Sequence, residues 1–142
     1  MNKNNTLPRL ILLLGDFSAI ILFVFIGQQD HATGDPNNPL FGLLWASFPF
    51  LITWLIVAPI VGAYPAAADI TLRRLLLTSL NAWLIAAPFG LMLRAFLLGR
   101  SIIPAIFMLL TLAAAGGFIL IWRLAFWLLW QRQHKTDEVA LN

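Results

Sequence analysis

Asp16 and Arg123 fall well within long apolar runs of this sequence, and Arg94 lies near the end of another. An ionised group in such a setting is costly and must face a partner or the interior of a helix bundle. A carboxylate and a guanidinium together allow two kinds of chemistry. They can pair through two parallel hydrogen bonds and act as a structural staple. Alternatively, the carboxylate can exchange protons while the arginine binds an anion. At 1.5 Å of rise per residue, Asp16 lies ~12 Å into the first apolar run, and Arg123 ~10 Å, Asn81 ~9 Å and Thr53 ~15 Å into theirs, all measured from the same side. These depths predict a buried polar layer centred on an Asp16–Arg123 pair, with Asn81 and Thr53 nearby. Gly15, Ser18 and Ala19 flank Asp16 and leave room for a neighbouring helix. The staple is the preferred reading, and a functional site stays open beside it.

A second candidate group, His31 with Arg94, falls at the opposite end, near Asp30 and Arg100. One reading is that Arg94 snorkels to the interface. The other is an outer vestibule in which His31 and Arg94 hold an anionic head group or ligand, with the imidazole titrating near neutrality.

Little other chemistry is available. The absence of cysteine removes disulfides, thiolate metal sites and thiol redox chemistry. His31 and His134 both lie outside the apolar runs, so a buried haem or chlorophyll lacks its usual ligands. There is no Gly-rich phosphate loop, zincin helix or nucleophile elbow. No residue is therefore assigned a catalytic, cofactor-binding or metal-binding role. Nucleic-acid binding is not expected, because no basic stripe runs through a soluble segment.

The elements that must position these groups follow from composition. Of 142 residues, 61% are hydrophobic and 11% charged, against ~25% charged in ordinary soluble domains. A chain this short has too little interior to hide so much apolar surface in water. Four runs, about 8–26, 40–63, 75–98 and 102–130, each approach or exceed the ~20 residues that cross a bilayer core. Backbone groups in lipid must be satisfied internally, so the runs are helices, and the expected fold is an all-α four-transmembrane-helix bundle. The first run is read as a retained helix rather than a cleaved signal, since Asp16 interrupts it and no small-residue cleavage site follows.

Lys3, Arg9, Arg73, Arg74, Arg132 and Lys135 mark one side of the bundle, and Arg94 and Arg100 the other. The positive-inside rule then puts both termini in the cytoplasm and Gly27–Pro39 outside. Pro49, Pro59 and Pro88 are expected to kink their helices. The small residues Ala113–Gly117, and Gly42 with Ala46, are expected to allow close helix packing. Trp45, Trp127 and Trp130 fit an interfacial belt, while Trp54, Trp83 and Trp122 lie deeper and are read as packing, with stacking on a pigment or quinone as the alternative. Residues 131–142 are read as a short, frayed polar tail.

The order and spacing of several residues resemble the DUF3054 family, whose function is uncharacterised. They are Asp16, Ile26-Gly27 and His31, then Phe48-Pro49-Phe50, Trp54 and Ala82-Trp83. The string Gly90-Leu91-Met92-Leu93-Arg94 follows, with Gly99, Phe107 and Trp122-Arg123. Gln28 and Gln29 depart from the family's frequent basic residues after the first-helix glycine, and Ile121 stands where a glycine is expected. The resemblance implies a small bacterial integral membrane protein, in the plasma membrane, and supplies no mechanism.

Function is expected to be non-enzymatic: a structural or accessory membrane component whose partners are the lipid bilayer and a homo-oligomer or larger membrane complex. The alternative is a small transporter or permeation protein using Asp16 and Arg123 or Arg94 for ions or anionic solutes. In outline it is similar to the small multidrug transporters, but an arginine partner would hold Asp16 ionised and unavailable for proton exchange. A lipid-modifying enzyme is the third reading, with no nucleophile–base pair to support it.

Overall fold

The computed structural model describes residues 6–30, 36–99, 102 and 105–140. Helix α1 spans Thr6–Asp30, α2 Pro39–Val61, α3 Leu72–Leu97 and α4 Ala105–Ala140, with a 3-10 turn at Ala67–Asp69. Among the described residues these four helices are long and apolar enough to cross a membrane, and there is no strand.

Several boundaries shift from the hydropathy reading, and two of the shifts have a visible local cause. Helix α1 runs on through Gly27-Gln28-Gln29 to Asp30, where the Gln28 side chain donates to the Gly42 carbonyl at 3.2 Å and ties the helix end to α2. Helix α3 starts at Leu72 because Thr71 caps it, accepting from the Arg74 N–H at 3.3 Å. Arg73 and Arg74 therefore belong to its first turn. Helix α4 continues past Trp130 to Ala140, so the segment expected to be a frayed tail from 131 is helical over most of its length.

Each helix packs against its neighbour in sequence, and α1 also packs against α4, closing a ring of four. Leu12, Leu75 and Phe126 form one cluster. They lie early in α1, early in α3 and late in α4, so the helices alternate in direction, and the start of α1 and the end of α4 lie at one end of the bundle. The buried positions of α1 (Pro8, Leu12, Asp16, Ala19, Ile20 and Val24) fall on one stripe at helical spacing. On α4 the stripe is Thr111, Ala115, Ile119, Arg123 and Phe126. The outward faces of all four helices carry exposed Leu, Ile and Phe, as a lipid-facing surface requires.

Two tryptophans fix how close the helices come. The Trp83 indole of α3 lies over Gly116 of α4 and donates to the Leu112 carbonyl at 3.0 Å. The Trp122 indole of α4 lies over Gly15 of α1 and donates to the Leu12 carbonyl at 3.3 Å. A Cβ on Gly15 would fall 1.8 Å from Trp122 Cε2, so only glycine admits the ring there. The expected small-residue contacts are thus made within the chain at Ala115 and Gly116.

Candidate functional site

The Schellman turn that ends α2 builds one wall of the site. Gly62 takes a left-handed conformation (φ +80°) and donates to Pro59 O, while the Ala63 N–H bonds back to Ala58 O at 2.9 Å. This turn directs the next residues into the bundle instead of along its surface. The Ala63 carbonyl and the Tyr64 side chain thereby reach the helix interior.

Asp16 and Arg123 meet in that interior. Arg123 Nε donates to Asp16 Oδ1 at 3.0 Å and Nη2 to Oδ2 at 2.5 Å. The third guanidinium nitrogen, Nη1, donates to the Ala63 carbonyl at 2.6 Å. Both side chains have 0% exposure. Oδ2 accepts two further bonds, from Tyr64 Oη–H at 2.8 Å and from Trp54 Nε1–H at 3.2 Å. The Trp54 N–H is shared, lying 3.0 Å from Tyr64 Oη as well. The Arg123 guanidinium carbon also sits 5.1 Å from the Tyr64 ring centroid, in cation–π range. All four helices or their connections contribute: Asp16 from α1, Trp54 from α2, Ala63 and Tyr64 from the α2–α3 connection, Arg123 from α4, and Trp83 of α3 packed against Trp54.

A buried charge is tolerable only when paired and hydrogen-bonded throughout. Here every heavy atom of both charged groups that can bond does so. The loop is further held by Arg9, whose Nε donates to Pro65 O at 3.4 Å. Tyr64 lies outside the helical spans, and its phenol is pushed well above the ordinary tyrosine range, by burial first and the adjacent Asp16 carboxylate second. It is therefore a neutral hydrogen-bond donor.

The other expected members of the layer are elsewhere. Asn81 is exposed on the outer face of α3. The inward stripe of α3 is Ser79, Ala82, Trp83 and Ala86, and a side chain one residue away from it is turned by about 100°. Thr53 returns its hydroxyl to its own helix, donating to Pro49 O at 2.9 Å, and packs at Gly90. The correct depth did not give the correct face. Conversely, Trp54, expected above all to pack, is a hydrogen-bond donor to the carboxylate, and the sequence reading does not single out Tyr64. The available signal for Tyr64 is Gly62 near the end of the second apolar run, followed after one alanine by an aromatic and a proline.

At the far end, Arg94 Nη1 donates to the Ala46 carbonyl at 3.0 Å, one turn before Pro49, which lies inside the continuous span of α2. Beside it lies a cavity of about 290 Å³ whose lining includes Gln28, Trp45 and Arg94. His31, the expected partner of Arg94, lies outside the described residues.

The model of the family described as Protein of unknown function (DUF3054) matches residues 13–126, a span that contains Asp16, Trp54, Tyr64, Arg94 and Arg123. No curated protein and no solved structure matches the chain.

Proposed function

The chain belongs to the DUF3054 family, and from that premise we propose that it is a non-enzymatic structural or accessory component of the bacterial plasma membrane. One observation carries the reading: the Asp16–Arg123 pair is sealed from solvent and every arm is occupied within the chain. A carboxylate that loads and unloads protons needs an aqueous path and a partner it can release. Asp16 is held by four donors from three segments, a geometry suited to fixing helix register. A catalytic reading lacks support, because the polar cluster offers no nucleophile exposed to a substrate.

Orientation follows from charge placement, with both termini in the cytoplasm. The cysteine-free sequence makes this directly testable. Single cysteines introduced as Asn2→Cys and Thr136→Cys are expected to resist an impermeant maleimide applied to intact cells, and labelling from outside reverses the assignment.

The functional test compares wild type with Asp16→Asn in liposomes, together with gentle purification from native membranes. The expected result is proton and solute flux at background in both proteins, and isolation within a homo-oligomer or larger membrane complex. Flux through wild type that Asp16→Asn abolishes would replace this reading with the permeation alternative, and lipid turnover by the purified chain would replace it with an enzyme.

A further inference from the structure

We propose that the cavity at the end of the bundle away from the termini binds one anionic phospholipid, with its phosphate on Arg94 and its chains against α2 and α3. The cavity encloses about 290 Å³ between Gln28 of α1, Phe41 and Trp45 of α2, and Arg94, Leu97 and Leu98 of α3. Its two long polar side chains are both fixed to the α2 backbone. Arg94 bonds Ala46 O at 3.0 Å and Gln28 bonds Gly42 O at 3.2 Å. Holding these groups in place beforehand lowers the ordering cost of binding. A guanidinium in a cavity wall matches a phosphate with its planar fork of donors.

Depth and wall chemistry select a lipid over a free oxyanion. Arg94 stands three residues before the end of α3 at Leu97, ~5 Å below the helix end, where head groups meet acyl chains. The first turn of α2, including Phe41, lines the same space and contributes the positive end of its dipole. The remaining walls are apolar and open sideways: Phe41, Leu98 and the 49%-exposed Trp45 all reach the lipid-facing surface. Trp45 is stacked between Phe41 and Phe48, with ring centroids 6.3 and 6.2 Å away, which makes a flat aromatic shelf beside the mouth. A small anion would leave these walls unused, whereas a phospholipid entering from the bilayer covers them.

The test is native mass spectrometry of the detergent-purified full chain titrated with phosphatidylglycerol, phosphatidylcholine or inorganic phosphate. Wild type is expected to retain one phosphatidylglycerol about tenfold more tightly than phosphatidylcholine, whose phosphate can meet the same guanidinium but brings a choline cation that offsets the attraction. Arg94→Gln keeps a polar amide but removes the charge and is expected to erase that preference. Leu98→Trp leaves Arg94 in place but fills the mouth, and is expected to lower retention of both lipids with the melting temperature unchanged. Should Arg94→Gln fail to fold, Leu98→Trp carries the test by itself. Equal retention of the two lipids by wild type, an undiminished preference in Arg94→Gln, or undiminished retention in Leu98→Trp overturns the proposal. Displacement of phosphatidylglycerol by millimolar phosphate also overturns it, in favour of a free oxyanion.

Discussion

Tyr64 donates its hydroxyl proton to Asp16 Oδ2 at 2.8 Å across 48 residues of sequence, from a connection that folds back into the bundle. The contact joins the α2–α3 connection to the centre of α1 and closes the carboxylate on the side that Arg123 leaves uncovered. Its energetic meaning depends on the phenol staying protonated. Burial and the neighbouring carboxylate both act in that direction.

Tyr64 is the only tyrosine of the chain, so alkaline titration of phenolate absorbance reports this group alone. The folded protein is expected to develop no phenolate signal through pH 11, while the denatured chain titrates near the ordinary value of about 10. Because the folded pKa is raised, the stabilisation is fully present below about pH 10 and declines as pH rises beyond it and the unfolded state ionises. Tyr64→Phe should abolish the absorbance step and lower stability by about 1–2 kcal/mol, since one charge-assisted bond is lost and Oδ2 keeps two other donors. A normal titration in the folded protein would show that the loop does not cover the pair.

Breaking the ion pair from one side strands a buried charge. Asp16→Leu and Arg123→Met are each expected to cost about 3–5 kcal/mol in reversible detergent unfolding. The double variant Asp16→Leu/Arg123→Met removes both charges and should recover most of that loss, as apolar replacement of a buried pair usually does. Additive losses in the double variant would mean that the two side chains are not energetically coupled.

The charged pair was legible in the sequence because its physics is one-dimensional. A charge in an apolar run is costly wherever it points, and 1.5 Å per residue gives its height. Asn81 and Thr53 show the limit of that arithmetic, since height does not determine which way a side chain faces. The inward stripes of α2 and α3 through Trp54, Trp83 and Ala86 set the azimuth, and both polar residues sit off them. Tyr64 was hidden for a different reason. Its position depends on the left-handed turn at Gly62, a local event that hydropathy does not register. The four helices themselves were readable because lipid imposes length and polarity on each run separately. The α1 extension and the early start of α3 depended on side-chain bonds from Gln28 and Thr71.

The close approach of α1 and α4 rests on Gly15. In Gly15→Ala the new methyl would collide with the Trp122 indole, displacing the ring and its bond to Leu12 O. A loss of about 1–3 kcal/mol is expected from overpacking. Gly27→Ala is the control, because nothing lies within 4 Å of a Cβ there. Trp122→Leu in the Gly15→Ala background should restore part of the stability, and failure to do so would place the strain elsewhere.

The last prediction separates the turn from the pair it supports. At φ +80° a side chain on Gly62 is strained by about 1–2 kcal/mol, even though open space surrounds the position. If strain were the whole effect, Gly62→Ala would lower stability and leave the site alone. The turn also aims the Ala63 carbonyl at Arg123 Nη1 and delivers Tyr64 to Asp16. Relaxing φ toward helical values would carry both away from the pair. Gly62→Ala should therefore lower stability and also move the Tyr64 phenol toward its ordinary titration range. Gly62→Asn, which tolerates the left-handed conformation better, should retain the depressed ionisation. A Gly62→Ala protein that is destabilised but still withholds the phenolate signal would show that the connection is held by Arg9, Arg123 and packing, independently of the turn.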